Sequence, residues 1–401
     1  MRRFDVRLLF LFLIITAATA PLVHADLQTI TFRIDLRTVY NDNITFSSSN
    51  KIRDMILEAV PEVMWRYSTE RNTAYATARL KGKLYWDHDE VNTIYQYYQA
   101  GVKSRVTERL RLALDGSYRT DDTLNTEFQE QGIVLNLDDR KVFDLHPRMD
   151  WQFTERSSLG FDYLFERTEY STDANTGYSN HRIYFTYDYL WSDRPTRVFV
   201  RPGFYINDPD DDATSEYSTQ LHFGMEYPFS ERLRLTASAG PSYSWRDMKV
   251  SEFIPVAPGK WVPVTLEKTR TYLKFVGSLS LRGLLERGYW NLALFQDIYP
   301  TGYGGASVLR TRLVTNMDYG LFERLRCKGA ITCTYYNSGG GPDPVDQTTF
   351  TVSPGIYYRL TERSNLGLYY NFRYRWDTEY DRDTIGNQVW LRFDIFRPFQ
   401  F

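Results

Sequence analysis

Only two cysteines and five histidines occur in 401 residues, and each scarcity removes a class of chemistry. Cys327 and Cys333 stand on one expected strand, six residues apart. At about 3.3 Å per residue their α-carbons lie about 20 Å from each other, beyond disulfide reach. They are expected to face lipid as small apolar side chains, so no cofactor is read from them. Past residue 25 the histidines are His88, His146, His181 and His222, and none sits in a recognisable nucleophile or metal motif. The formal charge is −2, with a pI near 6.3 and no basic stripe, which argues against nucleic acid as a partner. Nor does any apolar run after residue 25 approach the roughly 20 residues of a membrane-spanning helix.

What is abundant is aromatic: 16% of the chain, including 31 tyrosines. The stretch from Arg359 to Trp376 shows how they are used. After a short turn at Thr361-Glu362-Arg363, Leu366, Leu368, Tyr370, Phe372, Tyr374 and Trp376 alternate with Gly367, Tyr369, Asn371, Arg373 and Arg375. Period 2 with one apolar and one polar face is a β-strand. An acidic residue followed by Arg recurs at Glu70-Arg71, Glu108-Arg109, Glu155-Arg156, Asp193-Arg194, Glu231-Arg232, Glu286-Arg287 and Glu323-Arg324. Most of these sites are about 38 residues apart, a repeat that reads as one β-hairpin plus a loop per unit.

The first 25 residues read as a secretory signal peptide: Arg2, Arg3 and Arg7, the apolar run Leu8 to Ile15, and small residues ending in Ala25. Cleavage is expected after Ala25, because Ala18-Thr19-Ala20 is followed by Pro21, and no cysteine near the cut suggests a lipid anchor. An exported chain without a spanning helix but with strand alternation meets the demand for satisfied backbone groups in lipid only as a closed barrel. Residues 26–401 are therefore expected to form an all-β, transmembrane, antiparallel up-and-down β-barrel in the bacterial outer membrane. Eight short turns give 18 strands, with 16 the alternative if a hairpin is lost at the N-terminus or at the long loop; both termini fall at the periplasmic end. Trp65, Trp151, Trp191 and Trp290 near the turns, against Trp86, Trp245 and Trp376 about 13 to 15 residues beyond them, fit two aromatic girdles.

Three loops interrupt the strands: Asn41 to Asp54, Thr120 to Arg140, and the longest, Arg246 to Lys268. In the last, Pro258-Gly259 can make the tight turn of a hairpin projecting from the barrel, or the loop can fold inward as a constriction. The run Tyr40-Asn-Asp-Asn-Ile-Thr-Phe46, then Lys51, Asp54 and Pro61, together with the recurring Thr-Glu-Arg-x-x-Leu-Gly-Leu turns, resembles the β-barrel porin families linked to exopolysaccharide systems. The resemblance covers most of the mature chain and implies an outer-membrane pore, leaving its substrate open. The alternating last strand ends in Phe399 and Phe401, which resembles the signal read by the barrel-assembly machinery, although Arg397 interrupts the apolar series. Outer-membrane lipid, lipopolysaccharide and polysaccharide export components are the other expected partners.

On the faces opposite the lipid, the alternation places about two dozen basic residues against about eleven acidic ones, and lumen charge tunes selectivity. The expected pore lining includes Arg79, Lys81, Lys83, Arg105, Arg111, Arg148, Arg201, Arg234, Arg310, Arg312, Arg373 and Arg375. A field of that sign draws in anions, acidic sugars or polysaccharide above all. The competing reading pairs these cations with Asp35, Asp115, Asp150, Asp162, Glu166, Asp188 and Glu226, so that they merely knit the wall. Two other classes remain: a barrel enzyme using His146 or His222, not expected for want of a motif, and a closed docking barrel plugged by Thr120 to Arg140 or Arg246 to Lys268. The acidic run Asp208 to Asp212 reads as a Ca²⁺ site or, more simply, a solvated loop.

Overall fold

In lipid a strand must hand every backbone N–H and C=O to a neighbour, and the observed architecture does this around a complete ring. The structure is a computed structural model that describes residues 27–124, 138–173, 175–191, 196–210, 214–257, 260–300, 307–337, 346–378 and 381–401. The expected signal peptide, the Asp193-Arg194 turn and the Pro258-Gly259 turn lie outside the described residues. The first nine strands are β1 (Leu27–Asn41), β2 (Asp54–Ser68), β3 (Asn72–Tyr85), β4 (Thr93–Arg105), β5 (Leu110–Asp122), β6 (Asp139–Gln152), β7 (Ser157–Tyr170), β8 (Tyr178–Leu190) and β9 (Arg197–Pro209). The second nine are β10 (Thr214–Ser230), β11 (Leu233–Ala257), β12 (Lys260–Leu285), β13 (Gly288–Pro300), β14 (Ser307–Gly320), β15 (Leu325–Asn337), β16 (Asp346–Thr361), β17 (Ser364–Asp377) and β18 (Arg382–Gln400).

Each strand pairs with its sequence neighbours, and β18 pairs antiparallel with β1, from Thr29↔Gln400 to Asn41↔Gln388. Phe401 N–H donates to the Gln28 carbonyl at 3.0 Å, and Gln28 N–H returns a bond at 3.4 Å, so the C-terminus completes the closure. Phe399 packs edge-on against Phe32 at 5.9 Å on the outer face, while Phe401 is exposed. The chain is thus a multi-pass outer-membrane β-barrel of 18 strands, the larger of the two expected sizes.

Local chemistry sets the turns. The Thr69 hydroxyl accepts the N–H groups of Arg71 (3.2 Å) and Asn72 (2.8 Å). Thr107 and Thr154 repeat both contacts, as does Ser230, and Thr361 takes the N–H of Arg363 at 3.1 Å. A hydroxyl that caps its own turn reverses the chain within a few residues, which is why Thr or Ser precedes these five Glu-Arg pairs, whereas Glu286 and Glu323 follow Leu285 and Phe322. Outside, Phe32, Ile34, Leu36, Leu273, Phe275 and Leu391 are exposed as lipid-facing side chains. Cys327 and Cys333 are free and share this parity with exposed Ile331.

Inside, several rings lie flat against the wall over glycines directly opposite them: Tyr75 over Gly101, Tyr184 over Gly203, Phe199 over Gly224 and Tyr369 over Gly355. A Cβ at any of these glycines would run into the ring. Pairing of this kind fills the missing side-chain volume and pins register.

The long loop expected over Arg246 to Lys268 is instead strand. β11 and β12 stay paired from Leu233↔Gly283 to Ala257↔Lys260, whereas β10 leaves β11 at Met248 and β13 leaves β12 at Gly277. Two strands therefore rise beyond the barrel as a hairpin, the projecting alternative. Pro255 and Pro263 are tolerated there because no third strand needs their missing N–H groups.

Gly355→Val tests the ring-on-glycine pairing. The added side chain must displace Tyr369, and overpacking of this kind costs roughly 1–3 kcal/mol. Urea unfolding of the refolded barrel should show that loss, with part of it recovered in Gly355→Val/Tyr369→Ala; a single mutant as stable as wild type would show that the ring does not depend on the glycine.

Candidate functional site

Strand parity turns all twelve predicted pore-lining residues to the inner wall, and the register then decides their partners. Arg79, Lys81 and Lys83 on β3 meet acids from β2 and β5: Arg79 pairs with Glu62, Lys81 Nζ is 2.9 Å from Glu58, and Lys83 Nζ is 2.6 Å from Asp122. Arg148 pairs with Asp115, Arg234 with Glu226 at 3.0 Å, and Arg310 with Asp297 at 2.7 Å. The acids named from the sequence are thus joined by Glu58, Glu62, Asp122 and Asp297. The signal for the first two was present: Glu58 and Glu62 alternate with Leu57, Ala59 and Val63 on β2. The exposed pairs among these, such as Arg234 with Glu226, each contribute only about 0–1 kcal/mol, whereas Lys83 with Asp122 is buried, and all of them cancel charge.

The other predicted positions sit differently. Arg105 and Arg111 face each other across β4 and β5, and Arg111 also stands opposite Asp150 on β6, although no carboxylate comes within ion-pair range of either among the described residues. Arg201 donates to the Thr186 hydroxyl at 3.0 Å and lies 5.2 Å from the Phe199 ring. Arg312 follows Arg310 on the inner face of β14. Arg373 and Arg375 flank the Phe46 ring at 4.9 and 5.3 Å, and Arg373 is 1% exposed.

That last contact reveals what narrows the outer mouth. Phe46 belongs to the loop between β1 and β2, which is held inward by Asn43. The Asn43 amide donates to the carbonyls of Ser47 (2.8 Å) and Ile385 (3.0 Å). Asp42 receives the Asn387 N–H at 2.7 Å. Leu124, just past β5, packs on Phe46, and its carbonyl accepts from Arg373 Nη1 at 3.1 Å. A contact from β17 to the end of β5 passes across the lumen.

A second inward segment comes from the outer ends of β13 and β14. Tyr299 lies 5.3 Å from the guanidinium of Arg182 on β8, and Ile298 clusters with Tyr205 on β9 and Val276 on β12. The hydroxyls of Ser307 and Tyr205 bond at 3.0 Å, and Arg246, paired with Glu216 at 2.8 Å, donates to the Ser307 carbonyl. Of the two loops expected as plugs, the described part of the β5–β6 loop does turn inward, whereas Arg246 to Lys268 forms the projecting hairpin. The β1–β2 loop and the β13–β14 end were not foreseen as plugs. Both owe their position to contacts between strands far apart in sequence.

The histidines offer no catalytic constellation among the described residues. His146 bonds Asp162 at 3.0 Å, His222 bonds Gln220 at 3.2 Å, and His181 bonds the Tyr163 hydroxyl at 2.8 Å on the outer face. Asp208 accepts from Ser215 and Asp210 pairs with Arg167 at 2.6 Å, while Asp211 and Asp212 lie outside the described residues. No group of three potential metal ligands occurs among the described residues. His88 bonds Asp54, where β2 begins, at 2.8 Å. That hydrogen bond, reinforced by the charges of Asp54, Glu90 and Asp87, raises the imidazole pKa above its ordinary value.

The fold and wall define an outer-membrane β-barrel. No family model matches the chain, and no curated protein matches it. Solved structures of similar architecture include the copper transporter OprC, at 10% identity and a TM-score of 0.46, covering 88% of this chain and 64% of OprC. The ferric-catecholate import receptor Fiu from E. coli K12, open form, gives 9% identity and a TM-score of 0.47, covering 91% and 81%. OpdK from Pseudomonas aeruginosa with vanillate gives 11% and 0.44, covering 92% and 99%. At these identities the likeness concerns the barrel, and the cargoes in those names belong to those proteins.

The His88–Asp54 bond makes a pH prediction. A pKa raised in the folded state contributes stability that is full below the ordinary value of about 6.5 and is lost as pH rises through the raised one. Proteolysis of the loop spanning residues 86–92 should therefore accelerate as pH rises from about 6.5, and the increase should vanish in His88→Ala. Identical pH profiles for the two proteins would remove the role given to this bond.

Proposed function

We propose that this barrel is an outer-membrane conduit whose lumen favours anions, with acidic sugars or polysaccharide as its cargo class, and that the inward segments form its gate. The observation that carries the reading is an imbalance. Arg105, Arg111, Arg201, Lys274 and Arg282 face the lumen with no carboxylate in ion-pair range among the described residues. Uncompensated cations lining a low-dielectric wall focus field into the channel and raise the local concentration of anions. A link to exopolysaccharide export remains part of this proposal, supported only by the resemblance of the Tyr40 to Pro61 stretch and of the Thr-Glu-Arg turns.

A second reading, a closed structural or docking barrel, is favoured by the two inward segments. Both readings are separated by current. Planar-bilayer recording under a salt gradient should give openings with anion preference, and Arg105→Gln/Arg111→Gln/Arg201→Gln should move the reversal potential toward cations. An unchanged reversal potential would overturn the anion reading. Arg79, Lys81 and Lys83 suit this test less well, since their neutralisation strands Glu62, Glu58 and Asp122 in the wall.

The gate has its own test. In a Cys327→Ser/Cys333→Ser background, Tyr205→Cys/Ser307→Cys joined by a short reducible bifunctional thiol reagent should abolish current, and reduction should restore it. Equal current before and after reduction would place the β13–β14 end outside the conduction path, and silence in both states would favour the closed barrel.

A further inference from the structure

Two lines of inward-facing side chains climb the wall obliquely to β18, one from β12 and one from β13, set by register except at one step. The first runs Arg282↔Asn291↔Asn316↔Ala330↔Ser353, then passes by hydrogen bond from Ser353 to Asn371, which stands opposite Gln388. The second runs Tyr289↔Asp318↔Lys328↔Gly355↔Tyr369↔Trp390. Barrel strands tilt, so a line of directly opposed residues rises along the axis. Both lines begin near the Glu286-Arg287 turn and end beneath the Phe46 loop. A recess of about 640 Å³ lies at their lower ends, lined by Arg282, Tyr289, Asn291, Asn316, Lys328 and Tyr369 among others. That volume is within the range of about 300–1,000 Å³ typical of small-ligand sites.

The chemistry of the recess is specific. Asn291 accepts from Ser280 at 3.1 Å through Oδ1, which leaves its NH₂ to donate. Asn316 makes no side-chain hydrogen bond among the described residues, so its amide offers both donors and an acceptor into the recess. Tyr369 lies flat over Gly355 and stacks on Trp390 at 5.5 Å and 13°, a ring face laid along the wall. Tyr289 is 40% exposed, with the Arg282 guanidinium 5.7 Å from its centroid. Asp318 is bonded by Arg326 at 2.9 Å and approached by Lys328 at 3.5 Å, so one carboxylate is shared by two cations and Arg282 has none in ion-pair range among the described residues. Amides for hydroxyls, flat rings for an apolar ring face, and one unmatched guanidinium for a carboxylate are complementary to one kind of ligand.

We infer that this recess is a subsite for an acidic saccharide, with ring hydroxyls on Asn291 and Asn316, a ring face on Tyr289 or Tyr369, and the carboxylate on Arg282. The assignment deepens the conduit reading and rests on it for biological sense, but its test needs no current. Isothermal titration of trigalacturonate and maltotriose into the detergent-solubilised full barrel should show the acidic trisaccharide binding at least tenfold more tightly. Arg282→Gln should erase that difference while sparing maltotriose, and Asn316→Ala should weaken both about tenfold. Neither side chain makes a protein hydrogen bond among the described residues, and heat-modifiable gel mobility confirms that each variant is a closed barrel.

Equal affinities for the two sugars, no binding of either, or variants indistinguishable from wild type would each overturn the subsite. So would complete displacement of trigalacturonate by sulfate at matched ionic strength, which would reduce the interaction to charge. Anion-selective current from a barrel that fails to bind trigalacturonate removes the subsite and leaves the pore. Binding to a barrel that carries no current removes the pore and leaves the subsite.

Discussion

Everything in this molecule depends on the hydrogen bonds between β1 and β18. In hydrocarbon, an open sheet would leave a full strand edge of N–H and C=O groups without partners, each costing several kcal/mol. Thirteen opposed residue pairs between β1 and β18, finished by the exchange between Gln28 and Phe401, remove that edge. Once the ring is closed, alternation is no longer a tendency but an assignment: every second side chain must be acceptable to lipid and every other one to the lumen. The exposed Phe, Leu and Ile residues outside and the ion pairs inside are two results of this one constraint.

Closure also limits what the inner charges can do. Pairs such as Lys83 with Asp122 and Arg246 with Glu216 are almost wholly buried, and removing one partner of such a pair costs roughly 3–5 kcal/mol because the other charge is stranded. Their net contribution to stability is small, and their effect on the field is cancellation. In the proposed conduit selectivity falls to the cations left unmatched, which are fewer than the basic residues counted along the strands. Arg105, Arg201 and Arg282 matter because their neighbours across the strands are Arg, His, a hydroxyl or an amide, whereas Arg111 has Asp150 opposite it as well as Arg105.

The barrel was legible because its determinants are local. Period 2 in Leu366 to Trp376 and a hydroxyl-capped turn at Thr361 each act within a few residues, and a repeat of such units counts the strands. Reading failed where the determinant was not local. The stretch from Arg246 to Lys268 looks like a loop because Pro255, Pro263 and clustered charges interrupt the apolar pattern, yet two strands that need no third neighbour tolerate all of these. Glu58 and Glu62 were readable from parity, but Pro61 and the short apolar side chains around it obscure the alternation. The glycines beneath Tyr369, Tyr184 and Phe199 carry no signal until the register is known, since each ring lies on the adjacent strand.

The inward β13–β14 end was the least legible feature, and its seam bears on the gate proposed for it. Tyr205, Ile298 and Val276 give it an apolar contact, and Arg246 gives it one charged bond to the Ser307 carbonyl. Beside these, the buried atoms Nδ2 and Oδ1 of Asn180 and Nε and Nη2 of Arg182 have no hydrogen-bond partner among the described residues. A buried polar group left without a partner costs about 1–3 kcal/mol, and a charged one more. Arg182 recovers part of that cost from the Tyr299 and Tyr205 rings at 5.3 and 5.9 Å, and water or a polar cargo reaching Asn180 and Arg182 would supply the missing hydrogen bonds. A seam of nearly balanced terms is what a segment must have if it is to move when cargo arrives, because a well-satisfied one would be part of the wall.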